Sequence, residues 1–240
     1  MAGRIGGVIN YKIVGDGINV VFLHGWGGNA SAFLFVAERL KSFCRSIVVD
    51  FNGFGDTPEP DRPYSVGDYA GEVLSVLEKE GVKKAIIVGH SFGGRVALEI
   101  AGKFPDAVNG LVLVDSAGLK PRRKPSYYAK IILHKILKKL GFRGLQGSRD
   151  YRVLSFIMKE TFKKVVSYDQ TYLLENINTP TLILWGKNDK ETPLYMANKL
   201  EKKIKDSKLI LLEGGHYAYV EDLANFVKIL SAFVKGVGEC

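Results

Sequence analysis

The 240-residue chain predicts an α/β protein, a mostly parallel sheet with helices on both faces, and three observations predict it. Short unbroken apolar runs alternate with stretches of helical periodicity, the pattern of strands joined by helical crossovers. The run Ala85-Ile86-Ile87-Val88 is apolar at every position, which suits a central strand covered on both sides. Several runs end in loops rich in glycine, aspartate or histidine, and in parallel sheets reactive groups gather at those strand ends.

Taken in order, Val8 to Val14 is the first expected strand, closed by the turn Gly15-Asp16-Gly17. Val20-Val21-Phe22-Leu23 is a buried strand that runs into the glycine loop His24-Gly25-Trp26-Gly27-Gly28. Asn29 or Ser31 then opens a helix through Phe33, Val36, Ala37 and Leu40. Ile47 to Asp50 is the next strand, and the irregular loop Phe51 to Pro58 follows it. Ser65 with Asp68 three residues on has the form of a helix start, ahead of Tyr69, Val73, Val76 and Leu77, and Gly81 ends that helix.

The central strand comes next, then Gly89-His90-Ser91-Phe92-Gly93, then Val96, Ala97, Leu98 and Ile100 at helical spacing up to Phe104-Pro105. Leu111 to Asp115, Thr181 to Trp185 and Leu209 to Leu212 are the remaining strands, with helices over Pro193 to Ile204 and Val220 to Val234. Between Asp115 and Thr181 lie some 65 residues without a convincing strand, too long for a plain crossover. Residues from Leu119 to about Asn178 are expected to form a helical insertion over the sheet edge near Ser91, a lid within a single domain spanning 1–240.

Composition narrows the class. Hydrophobic residues make up 46% of the chain, enough for a full core, and no linker or repeat divides it. No apolar run approaches the roughly 18 residues of a membrane span, and the first residues lack a secretory apolar stretch, so the expected location is cytoplasmic. The two cysteines, Cys44 and Cys240, have neither metal-site nor redox spacing, and no metal is expected.

Strand, sharp turn and helix around Ser91 leave a hydroxyl projecting above the sheet, with Gly89 and Gly93 letting the two backbones pass closely. A serine hydroxyl attacks well only when a base takes its proton, usually a histidine oriented by a carboxylate. Of the four histidines, His216 in Gly214-Gly215-His216 alone lies on a loop at the sheet edge downstream of the serine. His24 is expected to hold its loop by a hydrogen bond, and His134 lies in the insertion. Asp189, in Trp185-Gly186-Lys187-Asn188-Asp189, is the expected acid, with Asp115 the alternative. The backbone N–H groups of Trp26 and Phe92 are expected to cradle a developing oxyanion, each worth about 3 kcal/mol.

These motifs, with Asp50 and Gly53-Phe54-Gly55, stand in the order found in α/β-hydrolases, and the chain resembles that family everywhere except in most of the insertion. The resemblance implies an eight-stranded sheet with a helical cap, a triad of Ser91, His216 and Asp189, and no cofactor. Asn52 stands where the family often has proline, which affects substrate comparison rather than the triad. Serine instead of aspartate at position 91 argues against the dehalogenase and epoxide-hydrolase branches.

The net charge of +9 is concentrated. Residues Lys120 to Arg149 carry ten Lys or Arg and no Asp or Glu, so attraction to an anionic substrate or weak contact with an anionic membrane surface is one expectation and a solvated lid helix the other. No helix-turn-helix, stacking platform or zinc spacing accompanies the charge, so no nucleic-acid partner is expected. The expected activity is hydrolysis of a small or medium apolar carboxylic ester through an acyl-enzyme. Thioesters or the C–C bond of a diketone would use the same groups, and a non-catalytic small-molecule-binding protein is the alternative of another class.

Overall fold

A computed structural model describes residues 9–120 and 153–238. The seven strands are β1 (Asn10–Val14), β2 (Ile18–Leu23), β3 (Cys44–Asp50), β4 (Ala85–His90), β5 (Val108–Val114), β6 (Thr181–Gly186) and β7 (Ser207–Leu212). They form one sheet in the order β1-β3-β2-β4-β5-β6-β7, and only β1, on β3, runs antiparallel. The described residues thus carry seven strands where the resemblance implies eight.

Helices α1 (Ser31–Leu40), α2 (Val66–Lys79), α3 (Phe92–Lys103), α4 (Phe156–Ser167), α5 (Tyr195–Lys203), α6 (Ala218–Glu221) and α7 (Leu223–Gly238) complete the described elements, with short 3-10 turns at Pro105–Ala107 and Thr171–Asn176. The alternation of strand side chains divides the core in two. Val21, Leu23 and Ile87 pack with Tyr69 and Val73 of α2, Val96 of α3 and Leu200 of α5. Val20, Phe22, Ile86 and Val88 pack on the other face with Phe33 and Val36 of α1 and Phe226 and Leu230 of α7. Burying each such side chain stabilises the fold by roughly 1.5–3 kcal/mol.

Ser65 caps α2 as its sequence suggests: its hydroxyl accepts the Asp68 N–H while Asp68 accepts the Ser65 N–H at 2.7 Å. Other boundaries shift. Strand β3 begins at Cys44 rather than Ile47, because Cys44, Arg45 and Ser46 pair with Ile18, Asn19 and Val20 of β2 and so extend the ladder. The expected helix over 220–234 is broken at Asp222, whose backbone leaves the helical region and whose carboxylate accepts the Glu213 N–H at 3.1 Å. Among the described residues no helix is long and apolar enough to cross a membrane.

Of the expected insertion over 119–178, residues 121–152 lie outside the described residues, and with them fall His134 and nearly all of the basic stretch. The described remainder is α4 and the turn after it. Helix α4 is held to the loop before α2, where the Tyr64 N–H donates to Thr161 Oγ1 at 3.0 Å and Lys164 Nζ to the Pro63 carbonyl at 2.8 Å.

Candidate active site

Ser91 sits between the end of β4 and the start of α3 with φ 50° and ψ −109°. Left-handed φ at a non-glycine residue costs about 1–3 kcal/mol, so its surroundings must hold it there. The Ser91 N–H donates to the Val114 carbonyl, and the Ser91 carbonyl accepts the Ala117 N–H, each at 3.0 Å. A Cβ at Gly89 would overlap the Gly93 carbonyl, and one at Gly93 would overlap the Leu23 carbonyl. Only glycine at both places lets α3 start this close to β4 and β2, leaving the serine half-buried at the sheet's C-terminal edge.

The loop after β7 brings His216 to that edge. Gly214 adopts φ 116° against the Glu221 side chain, whose Oε2 accepts the Gly215 N–H at 2.8 Å. His90 fastens the loop from below, its ring Nε2 2.7 Å from the His216 carbonyl. The His216 ring then stands with Nε2 2.9 Å from Ser91 Oγ and Nδ1 2.9 Å from Asp189 Oδ2. A neutral ring that donates from Nδ1 to the carboxylate presents Nε2 as an acceptor to the serine hydroxyl.

Asp189 is buried and well supplied with donors. Its Oδ1 accepts the N–H groups of Glu191 (2.7 Å) and Thr192 (3.0 Å), and the Thr192 hydroxyl lies 2.5 Å from Oδ2. Burial pushes its carboxyl upward, but the bonds from His216 and Thr192 outweigh that and leave its pKa below the ordinary value. Burial pulls the His216 ring downward, yet the bond to Asp189, with the charges of Asp189 and Glu191, leaves its pKa raised.

Asp115 stands beside this network without joining the ring. It follows β5 at φ 44°, and its Oδ1 accepts the Gly186 N–H at 2.7 Å. Its Oδ2 is buried with no well-formed hydrogen bond among the described residues, only a weaker approach from the Ala218 N–H, and burial pushes the carboxyl up to about 7. Among the described residues only Asp189 of the two candidate acids bonds the histidine.

Ser91, Trp26 and Phe92 line a cavity of about 790 Å³ that also touches Phe54, Phe162, Val165 and Val166. That size suits a small or medium organic molecule. The Trp26 ring meets Phe54, Phe92 and Phe162 edge-on at 4.9–5.3 Å, fixing the glycine loop against α3 and α4. Neither the Trp26 N–H nor the Phe92 N–H donates to an acceptor among the described residues. His24 holds its loop as its position suggests, with Nδ1 2.7 Å from the Gly25 carbonyl and Nε2 accepting the Phe51 N–H at 3.2 Å.

The model of the alpha/beta hydrolase family matches residues 20–229, which run from β2 into the first half of α7 and include every element of this site. The chain belongs to the alpha/beta hydrolase family. It is 27% identical to pimeloyl-[acyl-carrier protein] methyl ester esterase of Neisseria meningitidis over 94% of this chain and 96% of that protein. Among solved structures it resembles an esterase from Exiguobacterium antarcticum with a TM-score of 0.78 and 24% identity, covering 95% of each chain. It also resembles Est816, described as an N-acyl homoserine lactone degrading enzyme, with a TM-score of 0.76 and 26% identity over 94% of this chain and 96% of that one. Its fold is that of the family, and the chain is a hydrolase with esterase-like relatives.

Several residues of this hydrolase's site gave no signal in sequence. Thr192 touches Asp189, and Glu191 brings its Oε2 to 3.4 Å from His216 Nε2. His90 reads as part of the serine turn, yet it supports the His216 backbone 126 residues away. The one available hint was that Glu191 and Thr192 follow Asp189 closely, within the loop that must aim it. Among the described residues, no group of three or more His, Cys, Asp or Glu side chains is arranged to hold a metal ion.

Proposed function

We propose that this hydrolase cleaves carboxylic esters through an acyl-enzyme on Ser91. The observation that carries the reading is the unbroken line of two 2.9 Å contacts from Ser91 Oγ through His216 to Asp189. As Ser91 Oγ attacks the ester carbonyl, its proton passes to His216 Nε2, and the imidazolium is stabilised by Asp189 through Nδ1–H. The carbonyl oxygen, now negative, takes the N–H groups of Trp26 and Phe92. His216 returns the proton to the departing alkoxide, and a water activated by the same ring then releases the acid.

The choice of an ester rests on relatives that carry ester or lactone names at 26–27% identity, since both bonds join an acyl carbon to oxygen. Thioester and diketone C–C hydrolysis place the same demands on these three side chains and enter the test as competitors. A panel of p-nitrophenyl esters of rising acyl length is expected to turn over, with Ser91→Ala lowering kcat by about 10⁴- to 10⁶-fold. Turnover of a vinylogous diketone and of no ester would move the assignment to C–C cleavage. Equal rates for wild type and Ser91→Ala would leave only a binding protein.

A further inference from the structure

Two charged side chains of the cavity wall, Arg95 and Glu191, take no part in this mechanism, and of the two only Arg95 is buried. Arg95 lies one turn along α3 from Ser91, is 6% exposed, and forms part of the same cavity wall as Ser91, Trp26 and Phe92. A guanidinium has five N–H donors. Among the described residues only Nη1 is engaged, at 2.7 Å from the Tyr168 carbonyl, and Arg95 forms no ion pair.

The carboxylates nearby are already occupied. Glu99, one turn further along α3, pairs with Lys103 at 2.5 Å and accepts from Tyr168 Oη and Gln170 Nε2, each at 3.1 Å. Asp169 accepts from the N–H and hydroxyl of Thr171 and acts on Arg95 through its charge alone, without an ion pair. Burial pulls the Arg95 guanidinium down to about 10, which leaves it charged at neutral pH.

Removing a guanidinium from water costs more than one hydrogen bond to a carbonyl returns. A neutral donor such as glutamine would hold the Tyr168 carbonyl without that cost. What a buried guanidinium without an ion pair among the described residues adds is a charged fork matched to a carboxylate, in a cavity whose other walls are largely aromatic and aliphatic. The other charged wall residue, Glu191, is 67% exposed in its side chain and therefore screened by water, and its sign would turn an anion away from the His216 side.

We infer that Arg95 is a substrate-binding residue that takes a free carboxylate, so that the ester acted on at Ser91 carries a second, anionic end joined to it by a short apolar chain. The inference rests on the serine-ester reading above and narrows its substrate class from apolar esters to half-esters and acylated hydroxy acids.

The test compares two matched pairs: monomethyl adipate with methyl hexanoate, and O-acetyl ω-hydroxyhexanoate with hexyl acetate. The anionic-to-neutral ratio of kcat/KM is measured for wild type, Arg95→Gln and Arg95→Lys. In at least one pair wild type is expected to favour the anion, with the ratio about 10- to 100-fold lower in Arg95→Gln and partly kept in Arg95→Lys. Glutamine retains a donor for the Tyr168 carbonyl, which separates loss of charge from loss of the α4 anchor. A wild-type ratio at or below one in both pairs overturns the inference, even if neither variant folds, and so does a preference that survives in Arg95→Gln. Fluorophosphonate labelling of wild-type Ser91 runs alongside: labelling without anion preference removes only the role of Arg95, whereas no labelling and no ester turnover removes the serine-ester reading as well.

Discussion

Strands β5 and β6 lie side by side, and the loops after them each bring a buried aspartate to the neighbourhood of His216, with opposite results. Asp189 collects two backbone N–H groups, a hydroxyl and an imidazole, and its pKa falls below the ordinary value. Asp115 receives the Gly186 N–H and only a weaker approach from the Ala218 N–H among the described residues, and is pushed up to about 7 by burial. Proximity to a histidine does not make a carboxylate an orienting acid. What decides it is the number of donors that keep the charged form stable in a dry place.

Exchanging each aspartate for its amide sharpens this contrast most. Asp189→Asn is expected to lower kcat on a p-nitrophenyl ester by about 10⁴-fold, because an amide no longer selects the tautomer that leaves Nε2 free. Asp115→Asn should lower it by less than about tenfold, since an amide oxygen still accepts the Gly186 N–H. Equal losses in the two variants would erase the distinction.

A smaller effect is expected one bond further out. Thr192→Val removes the hydroxyl 2.5 Å from Asp189 Oδ2 and should lower kcat by about tenfold while the chain stays folded. Smaller again is a pH effect. His216 must be neutral to accept the serine proton, so kcat/KM should rise with pH through a midpoint above the ordinary histidine value, its pKa being raised. Glu191 is one of the charges that raise it, so Glu191→Gln is expected to move that midpoint down and extend activity to lower pH. An unmoved or raised midpoint would show that this carboxylate does not act on the ring.

Stability gives the last comparison. Because the folded-state pKa of Asp115 lies above its unfolded value, its protonated form favours folding. That contribution is complete below about pH 4 and is lost as pH rises through about 7. The Tm of Asp115→Asn relative to wild type should therefore increase between pH 5 and pH 8 (about the window set by that shift). A constant difference would mean that Asp115 is ionised throughout.

Local chemistry explains what was legible in the sequence. Ala85 to Val88 and Val20 to Leu23 read as central strands because both of their faces are covered, which leaves no polar position to blur the run. Ser65 and Asp68 reveal a helix start because the capping box is closed within four residues. Ser91 and His216 stand out for the glycines beside them, which the close approach of strand and helix and the left-handed Gly214 require. Boundaries set by distant partners were hidden, as at Arg45, which belongs to the strand because it pairs with Asn19 of β2. Arg95 was hidden for the same reason: on paper it is one more residue of a helix, and only the fold sets it beside Tyr168, 73 residues on, and in the cavity wall.

The central claim is that the His216 ring activates the Ser91 hydroxyl, and intact-mass analysis after fluorophosphonate treatment tests it without any assumption about substrate. The account predicts a single adduct on wild type, mapped to the peptide that holds Ser91, and its loss or near-loss in His216→Ala. A wild-type chain that stays unmodified, or a His216→Ala chain that is labelled just as fast, would contradict it.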